Sequence, residues 1–227
     1  MMTKVPYHKH AYSHGEMLSF LEQKNLQIPD HDYARHCLAY IGYYRLKIYM
    51  RPFEDKSRRF HDGVKFNDIV DLYEFDRQLR LVCLDAIERI EVALRAQIVD
   101  IMSIHGGPHF YYDSAYFTKS DVKQTICDVG RNSQHISIQH YHAKYDEPEL
   151  PPIWCITEDM TFGKLSIIYA KLQKTYRKQI ARNFGIQEPL CVSWFRSLTI
   201  VRNICAHHGR LWNSPIKVNS PKVPKSG

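Results

Sequence analysis

At 227 residues with 44% hydrophobic content, the chain can bury a sizeable core and reads as one domain over residues 1–213, with 1–60 able to form a small N-terminal lobe. Its 31 basic residues against 24 acidic ones leave a formal charge of +7, which points to a polyanionic partner. No segment approaches the roughly eighteen uncharged apolar residues of a membrane span, and the His-, Lys- and Tyr-rich stretch Met1 to Gly15 has no signal-peptide core, so a soluble, cytoplasmic protein without a membrane partner is expected. The six cysteines stand far apart with no C-x2-C pair, the pattern of reduced core thiols.

Ser13-x-x-Glu16 has the form of a capping box and opens a short amphipathic segment through Leu18, Leu21 and Leu26. Pro29-Asp30 starts a second helix that carries Tyr33, Cys37, Tyr40, Ile41, Tyr44 and Ile48 on one face and ends before Pro52. Residues 54–63 are polar and read as a loop. From Asp68 to about Ile104 there is neither Gly nor Pro, and apolar residues recur from Ile69 to Ile98 at helical spacing; one very long helix over about 68–104 is predicted, capped by Asn67 and stopped by Gly106-Gly107-Pro108.

Charges on this helix pair at i,i+4: Asp76 with Arg80, Asp85 with Arg89, Glu91 with Arg95. Each reads as a solvated ion pair. The alternative for Glu88, Glu91 and Arg95, which crowd the apolar stripe, is that they lie behind a functional helix and orient it. Further on, Thr118-x-x-Asp121 predicts a helix to about Arg131, Ile136 to Tyr145 another, and Pro148 to Pro152 a turn. Then follow Ile153 to Met160, a helix from Thr161 through Lys174, a short one through Phe184, and a last helix over about 189–208 closed by Gly209. Strand alternation is absent, so the fold class is all-α. Ser214 to Gly227, with three Pro and three Lys, reads as a mobile basic tail.

The end of that last helix is the chemically richest part of the chain. Between Arg202 and Asn213 stand four cationic or titratable side chains, Arg202, His207, His208 and Arg210, beside Asn203, Asn213 and the indole of Trp212. An Arg offers a fixed fork of donors to a phosphate, and a His can take a proton near neutrality and return it. The bare Arg-x4-His spacing is a weak signal; the twelve-residue string has the weight.

This string resembles the Arg-x4–6-His signature of the HEPN superfamily, many of whose members are metal-independent ribonucleases. Its longer form, Cys205-Ala206-His207-His208 with Arg210-Leu211-Trp212-Asn213, is similar to the bacterial abortive-infection proteins of the AbiD/AbiF kind. Three further blocks agree: Tyr43-Tyr44-Arg45-Leu46 with Pro52-Phe53, Tyr73 to Arg80 running into Ile87 to Arg95, and Pro152-Ile153-Trp154 with Phe162-Gly163. The resemblance implies a HEPN-type helical bundle and an endoribonuclease in antiphage defence that cuts RNA by attack of the ribose 2′-hydroxyl. It assigns catalysis to Arg202 and His207, with Asn203, His208 and Arg210 as supporting candidates. Arg202 and Arg210 would bind RNA; Trp212 either stacks on a base or packs against the core.

Five helical steps turn about 140° and rise about 7.5 Å, so Arg202 and His207 do not share one stripe. The resemblance suggests the resolution, a homodimer in which two motifs face each other across one cleft. The last helical turn would also favour a protonated imidazole. His8-x-His10, His140-x-His142 and His207-His208 raise metal binding, but no Cys lies at ligand spacing and no H-E-x-x-H is present, so neither metal nor cofactor is expected. Two alternatives remain open: a catalytically silent RNA-binding module, which would take RNA, including a regulatory non-coding RNA, without turnover, and the toxin of a toxin–antitoxin pair with an antitoxin or other regulatory partner.

Overall fold

The computed structural model describes residue 6 and residues 10–119 and 121–216. His8, Ser120 and the expected tail from residue 217 onward lie outside the described residues. Within them the chain is all-α, as its patterning predicts: ten α-helices and no strand, with β-type pairing confined to three isolated bridges. It divides into two compact units, Met1–Leu79 and Arg80–Gly227, each with its own apolar core.

In the first unit, α1 (His14–Gln23) begins at the predicted capping box: the Glu16 amide donates to Ser13 Oγ at 3.3 Å and the Ser13 amide donates to Glu16 Oε2 at 2.7 Å. Leu18 and Leu21 are its buried face. The single helix expected between Asp30 and Pro52 is two, α2 (His31–Tyr40) and α3 (Tyr43–Met50), because Gly42 adopts φ +88, a conformation closed to a helix and open to glycine. The break resets the phase. Ala34, Cys37, Leu38, Leu46, Tyr49 and Met50 are buried, whereas Tyr40 and Tyr44 of the expected face are 80% and 75% exposed.

The long helix, α4, runs over Phe66–Gly106, and its residues through Leu79 belong to the first unit. Asn67 is not its cap. It sits inside the first turn, while the Asp68 carboxylate reaches back to accept the Lys65 amide at 2.8 Å. The expected solvated charges Asp76 and Arg80 are also corrected, since both are buried, Asp76 completely and Arg80 to 5% exposure. The Tyr49 hydroxyl donates to Asp76 Oδ2 at 2.6 Å, so α3 covers this carboxylate with a charge-assisted hydrogen bond. Asp85 and Arg89 do form the expected exposed pair, at 3.2 Å.

In the second unit α4 buries Ile87, Leu94, Ile98 and Met102, a stripe at helical spacing. Gly106 ends it where a Cβ would come within 2.6 Å of Phe110 and Tyr116, and Gly107 follows at φ +76. The next helices are α5 (Asp121–Asn132), α6 (Ile136–Lys144), the one-turn α7 (Ile153–Ile156), α8 (Phe162–Lys171), α9 (Lys174–Asn183) and α10 (Glu188–Ala206). Thr118 does not cap α5: its amide and hydroxyl both donate to the Lys171 carbonyl, at 2.7 and 3.0 Å. Thr161 does cap α8.

Candidate functional site

Pro189 lies in the first turn of α10, where its missing amide hydrogen costs nothing, and Leu190, Cys191 and Phe195 turn inward. Phe195 is the anchor, with its ring centroid 5.2 Å from those of Tyr169 on α8 and Phe184 after α9, and 6.2 Å from that of Phe162. Gly163 lets α8 approach closely, because a Cβ there would stand 3.3 Å from Thr199 Cγ2. These contacts fix where α10 ends, and the motif is at that end.

The helix closes in a Schellman motif. The Gly209 amide donates to the Ile204 carbonyl at 2.8 Å and the His208 amide to that of Cys205 at 3.1 Å. The helix expected to reach about His208 ends at Ala206, and His208 takes the left-handed conformation before Gly209, at φ 56. Glycine suits position 209 for reasons of space: a Cβ there would sit tightly against Ile204 Cγ2 and the Ile204 carbonyl oxygen, both at 3.2 Å. A non-glycine held in the left-handed region stores about 1 kcal/mol, and such strain is common where a side chain has to be aimed.

His207 is the C-cap, its amide bonded to the Asn203 carbonyl at 3.0 Å. Its imidazole is exposed and makes no hydrogen bond or ion pair among the described residues. The Asn203 side chain is likewise exposed. Arg202 points elsewhere: its side chain is 33% exposed, and Nε lies 3.7 Å from Glu91 Oε2 on α4. The other oxygen of Glu91, whose side chain is 14% exposed, lies 3.7 Å from Arg95 Nη2. Arg95 in turn donates to the Met160 carbonyl at 3.0 Å and pairs with Glu158 at 3.8 Å.

One carboxylate thus stands between two guanidiniums. The structure brings Glu91 and Arg95 to Arg202 and leaves Glu88 exposed, without a partner among the described residues. At 3.7 Å these are charge pairs rather than hydrogen bonds, and they hold Arg202 without occupying all of its donors. Arg210 donates to the Asn213 carbonyl at 3.3 Å, and Trp212 is half-buried. Two contributors were not picked out from the sequence. Glu158 carries no signal in the string, whereas Arg80, whose Nη1 lies 3.4 Å from the Gly209 carbonyl, belongs to a block already notable for its charge. Among the described residues no three His, Cys, Asp or Glu converge as a metal site, and none of the helices is long and apolar enough to cross a membrane. His140 is exposed, and His142 Nε2 is bonded to the Gly130 carbonyl at 2.9 Å.

An all-α protein with an Arg/His cluster at the strained end of its last helix, the Arg steadied by an acid of its longest helix, is the class that fold and site define. The family model described as Abi-like protein matches residues 36–213, and the chain belongs to that family. Comparison with curated proteins and with solved structures gave no match.

Proposed function

We propose that the protein is an endoribonuclease of abortive-infection defence that cleaves RNA without a metal ion, with Arg202 and His207 as its catalytic residues. The observation that carries this reading is the pairing of roles at the end of α10: His207 offers an unengaged, solvent-facing imidazole, while Arg202, five residues earlier, is a guanidinium steadied by Glu91. Membership of the Abi-like family supports the defence role.

In the proposed reaction a base removes the proton of the ribose 2′-hydroxyl, the oxygen forms a bond to the adjacent phosphorus, the bond from phosphorus to the 5′-oxygen breaks, and an acid protonates that leaving oxygen. His207 moves protons, and Arg202 binds the scissile phosphate and stabilises the charge that grows on its oxygens. Asn203, His208 and Arg210 assist. Arg202 and His207 diverge around the helix, so the working unit is a homodimer with two motifs facing one cleft.

The test is incubation of the purified protein with RNA in EDTA, comparing wild type with His207→Ala and Arg202→Ala. Each substitution is expected to lower cleavage by about 10²–10⁴. Products carry 2′,3′-cyclic phosphate and 5′-hydroxyl ends, and deoxyribose 5′ of the cut blocks cleavage there. Cutting of that deoxy substrate, or a strict need for Mg²⁺, refutes the mechanism. The second reading, a restrained or silent RNA-binding module, has one observation in its favour: Glu91 offsets the charge of Arg202. RNA binding without cleavage under any condition supports it.

A further inference from the structure

A separate cationic groove lies at the other end of α10. On α9, Lys174, Lys178 and Arg182 follow at i, i+4 and i+8 and form one stripe, with steps of about 6 Å along the axis. All three are exposed, and none makes an ion pair or hydrogen bond among the described residues. They line a groove of about 640 Å³ between α9 and the start of α10. Among the described residues Glu188 is the one acid lining it, and that charge is already matched: the carboxylate is buried and lies 2.7 Å from Arg177 Nε. The contact is a charge pair rather than a hydrogen bond, since the Nε hydrogen has no acceptor in line. Arg177 is fixed from its other side by donating to the Ala170 carbonyl at 2.6 Å. Three cations therefore remain unbalanced, and the N-terminal end of α10 adds a positive dipole beside them.

We propose that this groove binds the phosphate backbone of single-stranded RNA and holds the substrate at a distance from the point of cutting. The proposal rests on the RNA-directed function above. Cations without aromatic rings among the described lining residues suit a backbone contact rather than base stacking, so the groove would be indifferent to sequence. From Glu188 to Ala206 the helix is about 27 Å long, so one short RNA strand can reach from the groove to the motif.

The experiment measures, by fluorescence anisotropy over a range of salt, binding of an RNA of about twenty nucleotides, long enough to span groove and motif. It compares wild type, a groove variant (Lys174→Gln, Lys178→Gln, Arg182→Gln) and a charge-matched control at exposed cations elsewhere (Lys56→Gln, Arg59→Gln, Lys119→Gln). Gln is a good helix former, so equal melting curves are expected. The groove variant should bind roughly tenfold or more weakly at low salt, and the slope of log affinity against log salt should fall by about 2, three contacts at roughly 0.7 each. The control should stay near wild type. Equal losses in both variants mean that net charge alone is being read, and they overturn the groove. Wild-type binding that the groove variant retains in full also overturns it while leaving the proposed ribonuclease standing; a wild type that binds no RNA at all overturns both. Vesicles rich in phosphatidylserine form a further arm: if the groove variant loses vesicle binding and keeps RNA binding, the groove belongs to a lipid surface and the RNA assignment falls.

Discussion

Replacing Glu91 by Gln removes the charge between Arg95 and Arg202 while nearly preserving its shape. Each contact is 3.7 Å long, and with an effective dielectric constant near 20 a pair at that distance has a gross attraction of about 4–5 kcal/mol. Most of this is offset. Arg202 is a third exposed and screened by solvent, and a pair so placed retains well under 1 kcal/mol. Arg95 is less exposed, at 19%, and its buried Nε has no hydrogen-bond partner, so its loss is the larger. The two together amount to roughly 1–2 kcal/mol, a fall in melting temperature of about 3–6 °C. Function should suffer more than stability. On the proposed ribonuclease function, in which Arg202 binds the scissile phosphate, a released Arg202 samples rotamers that miss it, so kcat should drop about tenfold or more while KM changes little. Thermal melts followed by circular dichroism give the first quantity, and single-turnover cleavage of a labelled RNA gives the second. Wild-type cleavage with an unchanged melt would refute the positioning of Arg202 by Glu91. Faster cleavage would show instead that Glu91 restrains the arginine.

Three further outcomes follow from the same geometry. His208→Gly should raise the melting temperature by about 1–3 °C, because glycine takes the left-handed position freely, while cleavage falls if the imidazole assists; a lower melting temperature contradicts the helix closure described. Gly209→Ala should destabilise by about 1–3 kcal/mol, since its methyl meets Ile204 at 3.2 Å, and calorimetry measures the loss. Ser13→Ala should cost about 1 kcal/mol by removing the α1 cap, read from urea unfolding. The Ser13 hydroxyl and amide also hold the Glu16 carboxyl below the usual carboxylate range, so its contribution is present above that range and is lost as pH falls through the lowered value; the acid limb of stability should be shallower in the variant.

The fold was legible wherever a local rule had no competitor. Ser13 and Glu16 form a capping box by side-chain reach alone, and the Gly- and Pro-free run after Phe66 leaves nothing to stop α4 before Gly106. Errors arose where tertiary packing decided. Tyr40 and Tyr44 look apolar to a periodicity count, yet a tyrosine tolerates exposure, and the turn at Gly42 rotates the following helix out of phase. Asp76 and Arg80 look like an ordinary surface pair, yet both are buried, where Asp76 accepts from the Tyr49 hydroxyl and Arg80 donates to the Gly209 carbonyl.

At the site, the string from Arg202 to Asn213 could name residue types but not their directions. A guanidinium and an imidazole five residues apart diverge on any helix, and which is steadied and which is left open depends on what lies opposite. The sequence offered Glu88 and Glu91 on equal terms. They are three residues apart on α4, only about 60° from each other round the axis, and the packing of α10 separates them: Glu91 meets α10 while Glu88 faces water. The closing turn was less legible still. Gly209 invites assignment as the left-handed residue because glycine usually is one, but the close approach of Ile204 places it one step later and forces His208 into the strained position. A requirement for space at one residue is thereby converted into a fixed direction for the neighbouring imidazole. No count of residue types or spacings along the chain records that coupling.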